Sequence, residues 1–303
     1  MDKIIIRGNN PLSGTINISG AKNAVLPVMA ATLLAPGQYT IHKVPDLRDT
    51  RTMMKLLNII GATTTYEGGS LIIDSSLANN PEAPYDLVKT MRASFYVLGP
   101  LISRFGRVNV SLPGGCAWGP RPVDYHLKGL EKLGAKLNLK GGNILAEAKE
   151  LIGSEIYFEF PSVGATGNIA MAAVKAKGVT KLYNCAKEPE IIQLCQFLNS
   201  MGAKIEGVGT ENLIIHGVNE LHPSDIEIIP DRIEAGTFLI AGALLGKLKI
   251  NDVIPEHLNK VINKLIDTGC KIETTDNSIT VFPSKKIKSV DMTTAVYPGF
   301  PTD

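Results

Sequence analysis

A short phrase returns at regular intervals along this chain. Gly followed by a small residue and an alternation of apolar and polar positions occurs at Gly61-Ala62, Gly134-Ala135, Gly202-Ala203 and Gly269-Cys270, about seventy residues apart. Each phrase closes a helical pattern, with the glycine as the C-cap, and opens two short strand patterns. The turns between those strands are Gly68-Gly69, Gly141-Gly142, Gly209-Thr210 and Asp276-Asn277. A second series of helical runs, more apolar, ends on Gly37, Gly106, Gly178 and Gly246 with the same period. The predicted unit is therefore a helix, a strand, a helix and two strands. Its apolar runs at 24–31, 95–98, 169–174 and 238–245 carry hydrophobic residues nearly all round, which predicts enclosed helices and parallel strand pairing.

Composition narrows the class. The 303 residues are 44% hydrophobic and 20% charged, enough for two sizeable α/β cores and too apolar for disorder. A net charge of +2 gives no basic field for nucleic acid or an anionic membrane surface. No apolar run approaches the length of a membrane span, and Met1-Asp2-Lys3 leads into a strand pattern at Ile4-Ile5-Ile6 where a secretion signal would stand, so a cytoplasmic location is expected. Cys116, Cys185, Cys195 and Cys270 match no CxxC spacing, and the five histidines form no HxxxH group, so no metal site is expected. Gly164-Ala165-Thr166-Gly167 is not followed by Lys-Ser/Thr, and no GxGxxG opens a helix, so neither nucleotide-binding loop is present.

Aligned on the glycines that end the apolar helices, the upstream helix starts hold Lys22, Arg92, Gly164 and Arg232. A cation at a helix start opposes the dipole by about 0.3–1 kcal/mol, so its recurrence points to an anionic ligand. The alternative is a long side chain laid over the surface with its charge in water. The connection from Leu112 to Asp124 is long for this repeat and holds three Gly, three Pro, the single Trp and Cys116. Such a segment in an economical repeat reads as a functional lid, and Cys116 close to Arg121 in sequence is the reactive candidate. The other three cysteines fall in strand or helix patterns and read as core. His126 follows the lid directly and is within reach of a ligand there.

Several of these segments together resemble one known family. Ser19-Gly20-Ala21-Lys22-Asn23-Ala24, Leu112-Pro113-Gly114-Gly115-Cys116, Gly119-Pro120-Arg121-Pro122-Val123-Asp124, Pro161-Ser162-Val163-Gly164-Ala165-Thr166, Ile229-Pro230-Asp231-Arg232-Ile233-Glu234 and Phe300-Pro301-Thr302-Asp303 are similar, in order, to the UDP-N-acetylglucosamine 1-carboxyvinyltransferases. The resemblance implies a two-lobed inverted α/β barrel of repeated βαβαββ units. Residues 22–229 would be the first lobe, and 1–21 with 230–303 the second, its last repeats missing. It implies transfer of the enolpyruvyl group of phosphoenolpyruvate to the 3-hydroxyl of UDP-N-acetylglucosamine, the first committed step of peptidoglycan synthesis, without a cofactor or metal. Lys22, Asn23 and Arg121 would bind phosphoenolpyruvate. Arg92, Arg121, Pro122, Val123, Asp124, Tyr125, Ser162, Val163 and Gly164 would hold the UDP-sugar. Cys116 would protonate the methylene carbon and be the residue alkylated by fosfomycin, and Asp303 would take the proton of the sugar hydroxyl.

The period also predicts that a fifth unit begins at 298–303 without its helix, as in a fragment or a shortened chain. Arginines and an acidic residue that the family carries in its last repeats would then be missing, and the alternative reading is an inactive fragment or a non-catalytic UDP-sugar-binding paralogue. The shikimate-pathway enolpyruvyl transferases fit less well: they lack the Pro-Gly-Gly-Cys loop and read Ser-Lys-Ser where this chain reads Ala21-Lys22-Asn23.

Overall fold

The computed structural model describes residues 3–8, 10–88, 91–112, 123–284 and 286–302. The chain forms two compact units, one of Gly20–Ile229 and one of Met1–Ser19 with Pro230–Asp303. Among the described residues no helix is long and apolar enough to cross a membrane.

The first strand, β1 (Gly14–Asn17), belongs to the smaller unit. The larger unit then runs α1 (Lys22–Ala31), β2 (Gln38–His42), α2 (Arg48–Ile60), β3 (Thr63–Glu67) and β4 (Ser70–Asp74). It continues with β5 (Glu82–Ala83), α3 (Tyr85–Val88), a 3₁₀ segment at Arg92–Val97, α4 (Leu98–Phe105), β6 (Arg107–Ser111), α5 (Asp124–Lys132), β7 (Lys136–Lys140) and β8 (Asn143–Glu147). A third pass gives β9 (Glu155–Tyr157), α6 (Val163–Ala173), β10 (Val179–Tyr183), α7 (Pro189–Ser200), β11 (Lys204–Glu206) and β12 (Asn212–His216), followed by β13 (Ile226–Glu227). The smaller unit resumes with α8 (Arg232–Leu245), β14 (Leu248–Asn251), α9 (Asn259–Asp267), β15 (Lys271–Thr274) and β16 (Ser278–Phe282).

Among the described residues, four four-stranded sheets follow one plan, in the orders β13-β2-β4-β3, β5-β6-β8-β7, β9-β10-β12-β11 and β1-β14-β16-β15. In each, the first two strands run parallel and the remaining pairs antiparallel. Parallel pairing is thus confined to one edge, because the two strands after the second helix of each unit are joined by a tight turn and can only fold back. The edge strands of two repeats are exchanged. β1 precedes α1 in sequence but pairs with β14, Ile16 opposite Ile250, while β13 precedes α8 but pairs with β2, Ile226 opposite Ile41. The repeat pattern alone assigns each strand to its nearest helix and does not show this swap.

The predicted helix ends are present. Gly61, Gly134, Gly202 and Gly269 follow α2, α5, α7 and α9 with φ of 103°, 93°, 100° and 94°, a left-handed bend that a side chain resists. The other series is mixed: Gly106 caps α4, but Gly37 and Gly178 lie beyond a 3₁₀ turn and a loop, next to the following strands.

Enclosure holds for α1 and α6, where residues Ala24 to Ala31 and Ala165 to Ala173 are all buried. It fails for α8. Ala235, Leu239 and Ala243 are buried, whereas Ile240, Leu244 and Leu245 are exposed, because one sheet covers one face of this helix. The strand pattern at Ile4-Ile5-Ile6 also forms no strand and has no sheet partner among the described residues, leaving these side chains 90%, 85% and 83% exposed. Each unit has its own hydrophobic core.

Candidate functional site

Three helix starts of the larger unit carry the polar residues singled out by the repeat. Lys22 is the first residue of α1 and Arg92 the first of the 3₁₀ segment, while Ser162 caps α6 just ahead of Val163 and Gly164. The 3₁₀ segment packs against both α1 and α6, and α5 packs along α6, which gathers these starts within one unit. Asn23 and Arg92 are exposed, and Lys22, Ser162, Val163 and Gly164 are half-buried, so each retains an accessible edge.

Lys22 Nζ lies 3.6 Å from Asp49 Oδ2. That separation is loose enough for an arriving anion to compete, since an exposed pair of this kind is worth about 0–1 kcal/mol. Ser162 Oγ accepts from the Ala165 amide at 3.3 Å, and the Ser162 carbonyl accepts from the Thr166 amide at 2.8 Å. The amides of Val163 and Gly164 have no acceptor among the described residues, the usual state of a helix start that can receive an anion.

Val123 is the N-cap of α5, and Asp124 and Tyr125 are its first two residues. Asp124 Oδ2 faces Lys128 at 3.6 Å, and its other carboxylate oxygen is buried without a hydrogen-bond partner among the described residues. A buried acceptor left open in this way is suited to a ligand N–H. Tyr125 meets the ring of Phe158 edge-on, with centroids 6.1 Å apart.

Behind the helix starts lies a polar network that the sequence pattern conceals. Asn168 sits within the otherwise apolar α6 and is fully buried. Its Oδ1 accepts from the Gly99 amide at 2.6 Å, and its Nδ2 donates to the Phe95 carbonyl at 3.0 Å and to His126 Nδ1 at 2.9 Å. A polar residue on an enclosed helix must be satisfied from neighbouring elements, and that was the available signal for this hub. Burial, reinforced by the charge of Arg92, pulls His126 down from 6.5 to about 3, so the ring is neutral near pH 7.

In the smaller unit, Arg232 opens α8, where Asp231 caps the helix by accepting from the amides of Ile233 at 2.8 Å and Glu234 at 3.1 Å. The Arg232 guanidinium stands over the Tyr297 ring at 5.3 Å. Both belong to the wall of a cavity of about 360 Å³ that also takes in His257, Lys260 and Asn263. His257 therefore lines a cavity, and burial with the nearby Arg232 lowers its pKa. The same wall includes Pro298, Gly299 and Pro301, just ahead of Asp303. Cys185, Cys195 and Cys270 are buried free thiols, as expected for core residues. Cys116, Arg121, Pro122 and Asp303 lie outside the described residues.

The chain is similar to known proteins along nearly its whole length. A family model described as EPSP synthase (3-phosphoshikimate 1-carboxyvinyltransferase) matches residues 6–303. UDP-N-acetylglucosamine 1-carboxyvinyltransferase of Chloroherpeton thalassium is 52% identical over 307 aligned residues, covering 100% of this chain and 72% of the relative. The protein of that name from Desulfosudis oleivorans is 50% identical over 304 residues, covering 100% of this chain and 73% of its own length. Among solved structures, the enolpyruvyl transferase NikO from Streptomyces tendae superposes with a TM-score of 0.87 at 27% identity, over 98% of this chain and 72% of that one. EPSP synthase from Acinetobacter baumannii shares the fold, with a TM-score of 0.74 at 18% identity over 95% of this chain and 68% of that one. The chain belongs to the enolpyruvyl transferase family, alongside the relatives named UDP-N-acetylglucosamine 1-carboxyvinyltransferase.

Proposed function

We propose that this protein transfers the enolpyruvyl group of phosphoenolpyruvate to the 3-hydroxyl of UDP-N-acetylglucosamine and releases phosphate, committing the sugar to peptidoglycan synthesis in the cytoplasm. The observation that carries this reading is the identity of about half of all residues, along the whole chain, to relatives named for that activity. The helix starts support it physically: Lys22 stands at the first position of α1 and Arg92 at the first of the 3₁₀ segment, where their cations would meet anionic substrates.

The chemistry requires an acid and a base at two places. Cys116 gives a proton to the methylene carbon of phosphoenolpyruvate as the sugar oxygen bonds to the adjacent carbon, and Asp303 accepts the hydroxyl proton. A tetrahedral adduct results. Loss of a proton from the new methyl group restores the double bond as the carbon–oxygen bond to phosphate breaks. Lys22, Asn23 and Arg121 neutralise phosphate and carboxylate, while Arg92, Pro122, Val123, Asp124, Tyr125, Ser162, Val163 and Gly164 hold the UDP-sugar. The Gly/Pro-rich segment that bears Cys116 closes over the substrates and keeps water out.

The test is phosphate release from phosphoenolpyruvate by the purified chain, with and without UDP-N-acetylglucosamine, beside Cys116→Ser. Release that needs both the sugar and the cysteine is expected. Release without the sugar, or full release by Cys116→Ser, overturns the reading.

A further inference from the structure

The orientation of His126 is set by an unbroken chain of hydrogen bonds. Gly99 can only donate through its amide, so the Asn168 atom at 2.6 Å from it is the carbonyl oxygen. The Asn168 amino group then faces His126 Nδ1 at 2.9 Å, and a donor there requires that Nδ1 be the unprotonated acceptor. The neutral ring therefore carries its hydrogen on Nε2. Phe95 fixes the ring plane from the other side, edge-on at a centroid separation of 4.9 Å.

Nothing among the described residues accepts that hydrogen. His126 is only 6% exposed, yet its Nε2 is not one of the fully buried atoms left without a partner, so this edge stays open to a ligand. Its Nε2 edge lies against the first turn of α6: a Cβ placed on Gly164 would come within 3.1 Å of Nε2 and 3.2 Å of Cε1. The unsatisfied amides of Val163 and Gly164 belong to that same turn, and Arg92 is near enough for its charge to act on the ring. A fixed neutral donor, free amides at the start of an 11-residue helix and an arginine are complementary to an oxyanion, and the anionic part of a UDP-sugar is its diphosphate.

We infer that His126 is a further substrate-binding residue, whose Nε2–H donates to a diphosphate oxygen of the nucleotide sugar held at the first turn of α6, with Asn168 as the positioning residue that fixes the tautomer. The inference rests on the proposed function and names a contact within it. Gly164 has a steric part, since any side chain there would press on the imidazole edge that faces the ligand.

The experiment joins side-chain nitrogen NMR of the wild-type chain with calorimetric binding of UDP-N-acetylglucosamine to wild type, His126→Phe and His126→Gln. The free protein should show His126 as the Nε2–H tautomer, and saturating nucleotide sugar should shift that resonance. His126→Phe keeps the contact with Phe95 but loses the donor, and should weaken binding about tenfold, the scale of one hydrogen bond to a charged group. His126→Gln should recover part of the loss. Wild type that binds the sugar with no movement of the Nε2 resonance, or the opposite tautomer, overturns this inference alone, even where a variant does not fold. Wild type that binds no UDP-N-acetylglucosamine overturns the proposed function and this contact with it.

Discussion

Glu234 grips Ser19 from 215 residues further along the chain, its Oε2 accepting from the Ser19 amide at 3.0 Å and also from the Ser19 hydroxyl. The Ser19 carbonyl in turn accepts from the Asp231 amide at 2.9 Å. The first turn of α8 thus binds all three polar groups of the residue that ends the N-terminal arm, three positions ahead of Lys22. Replacing Glu234 with Ala should cost about 1 kcal/mol, the net worth of a partly solvated hydrogen-bond pair. Hydrogen exchange at the Ser19 amide should rise about fivefold, and an unchanged rate would show that the carboxylate does not hold the arm.

Gly99→Ala should be among the most damaging single-methyl additions to the larger unit. The new Cβ would meet the Asn168 carbonyl oxygen at 2.2 Å and Oδ1 at 2.5 Å, and α4 and α6 would have to separate. The expected loss is about 3 kcal/mol, at the upper end for overpacking, or roughly 6–12 °C in melting temperature for a unit of this size. A melting temperature within two degrees of wild type would mean that the α4–α6 contact is slack.

His126 should make the larger unit sensitive to acid. Its folded pKa of about 3 lies below the unfolded value of 6.5, so the unfolded chain binds the extra proton between these limits. The stabilisation is complete above pH 6.5 and declines as pH falls toward 3. Between pH 7 and pH 4.5, wild type should lose about 2–3 kcal/mol more than His126→Gln in urea unfolding. Equal losses would contradict a neutral buried ring.

Burial pushes the Cys185 and Cys195 thiols up to about 12, leaving almost no thiolate at pH 8. Mass spectrometry after brief maleimide treatment should find both unmodified in the folded chain and labelled in urea. Labelling at either site without denaturant would point to opening of the core around α7.

Lys22→Ala should leave stability within about 0.5 kcal/mol, because the contact with Asp49 is a solvated pair. Phosphoenolpyruvate binding should fall at least tenfold. The two outcomes together separate an anion-binding lysine from one that lies on the surface, and calorimetry with a melting curve reads both.

The periodic features were legible because they are local. A glycine at the end of each amphipathic helix and a turn between two short strands follow from backbone sterics within a few residues, and Gly61, Gly134, Gly202 and Gly269 adopt the expected bend. The exchange of strands β1 and β13 does not follow from the local pattern, since pairing depends on which edge is nearby in space and both candidates have the same pattern; only the family resemblance, which groups 1–21 with 230–303, points to it. Ile4-Ile5-Ile6 has the composition of a strand but meets no partner among the described residues. For α8, apolar residues on all sides predicted enclosure, while the fold covers one face. Within the site, the residues at helix starts could be found by alignment on the repeat. The tautomer of His126 could not, because it depends on Asn168, which is 42 positions away.

The enclosure of α1 also bears on how the chain is made. This helix is finished at Ala31, yet it packs against α7, which ends at Ser200, and Tyr39 beside it reaches Phe197 at 6.3 Å. During synthesis at about 5–20 residues per second, roughly ten to thirty seconds pass before the second surface emerges from the ribosome. Throughout that interval α1 can pack on α2 and then on the 3₁₀ segment, but its α7 face stays open, so one of the most apolar segments of the polypeptide is only partly covered while the rest of the larger unit is made.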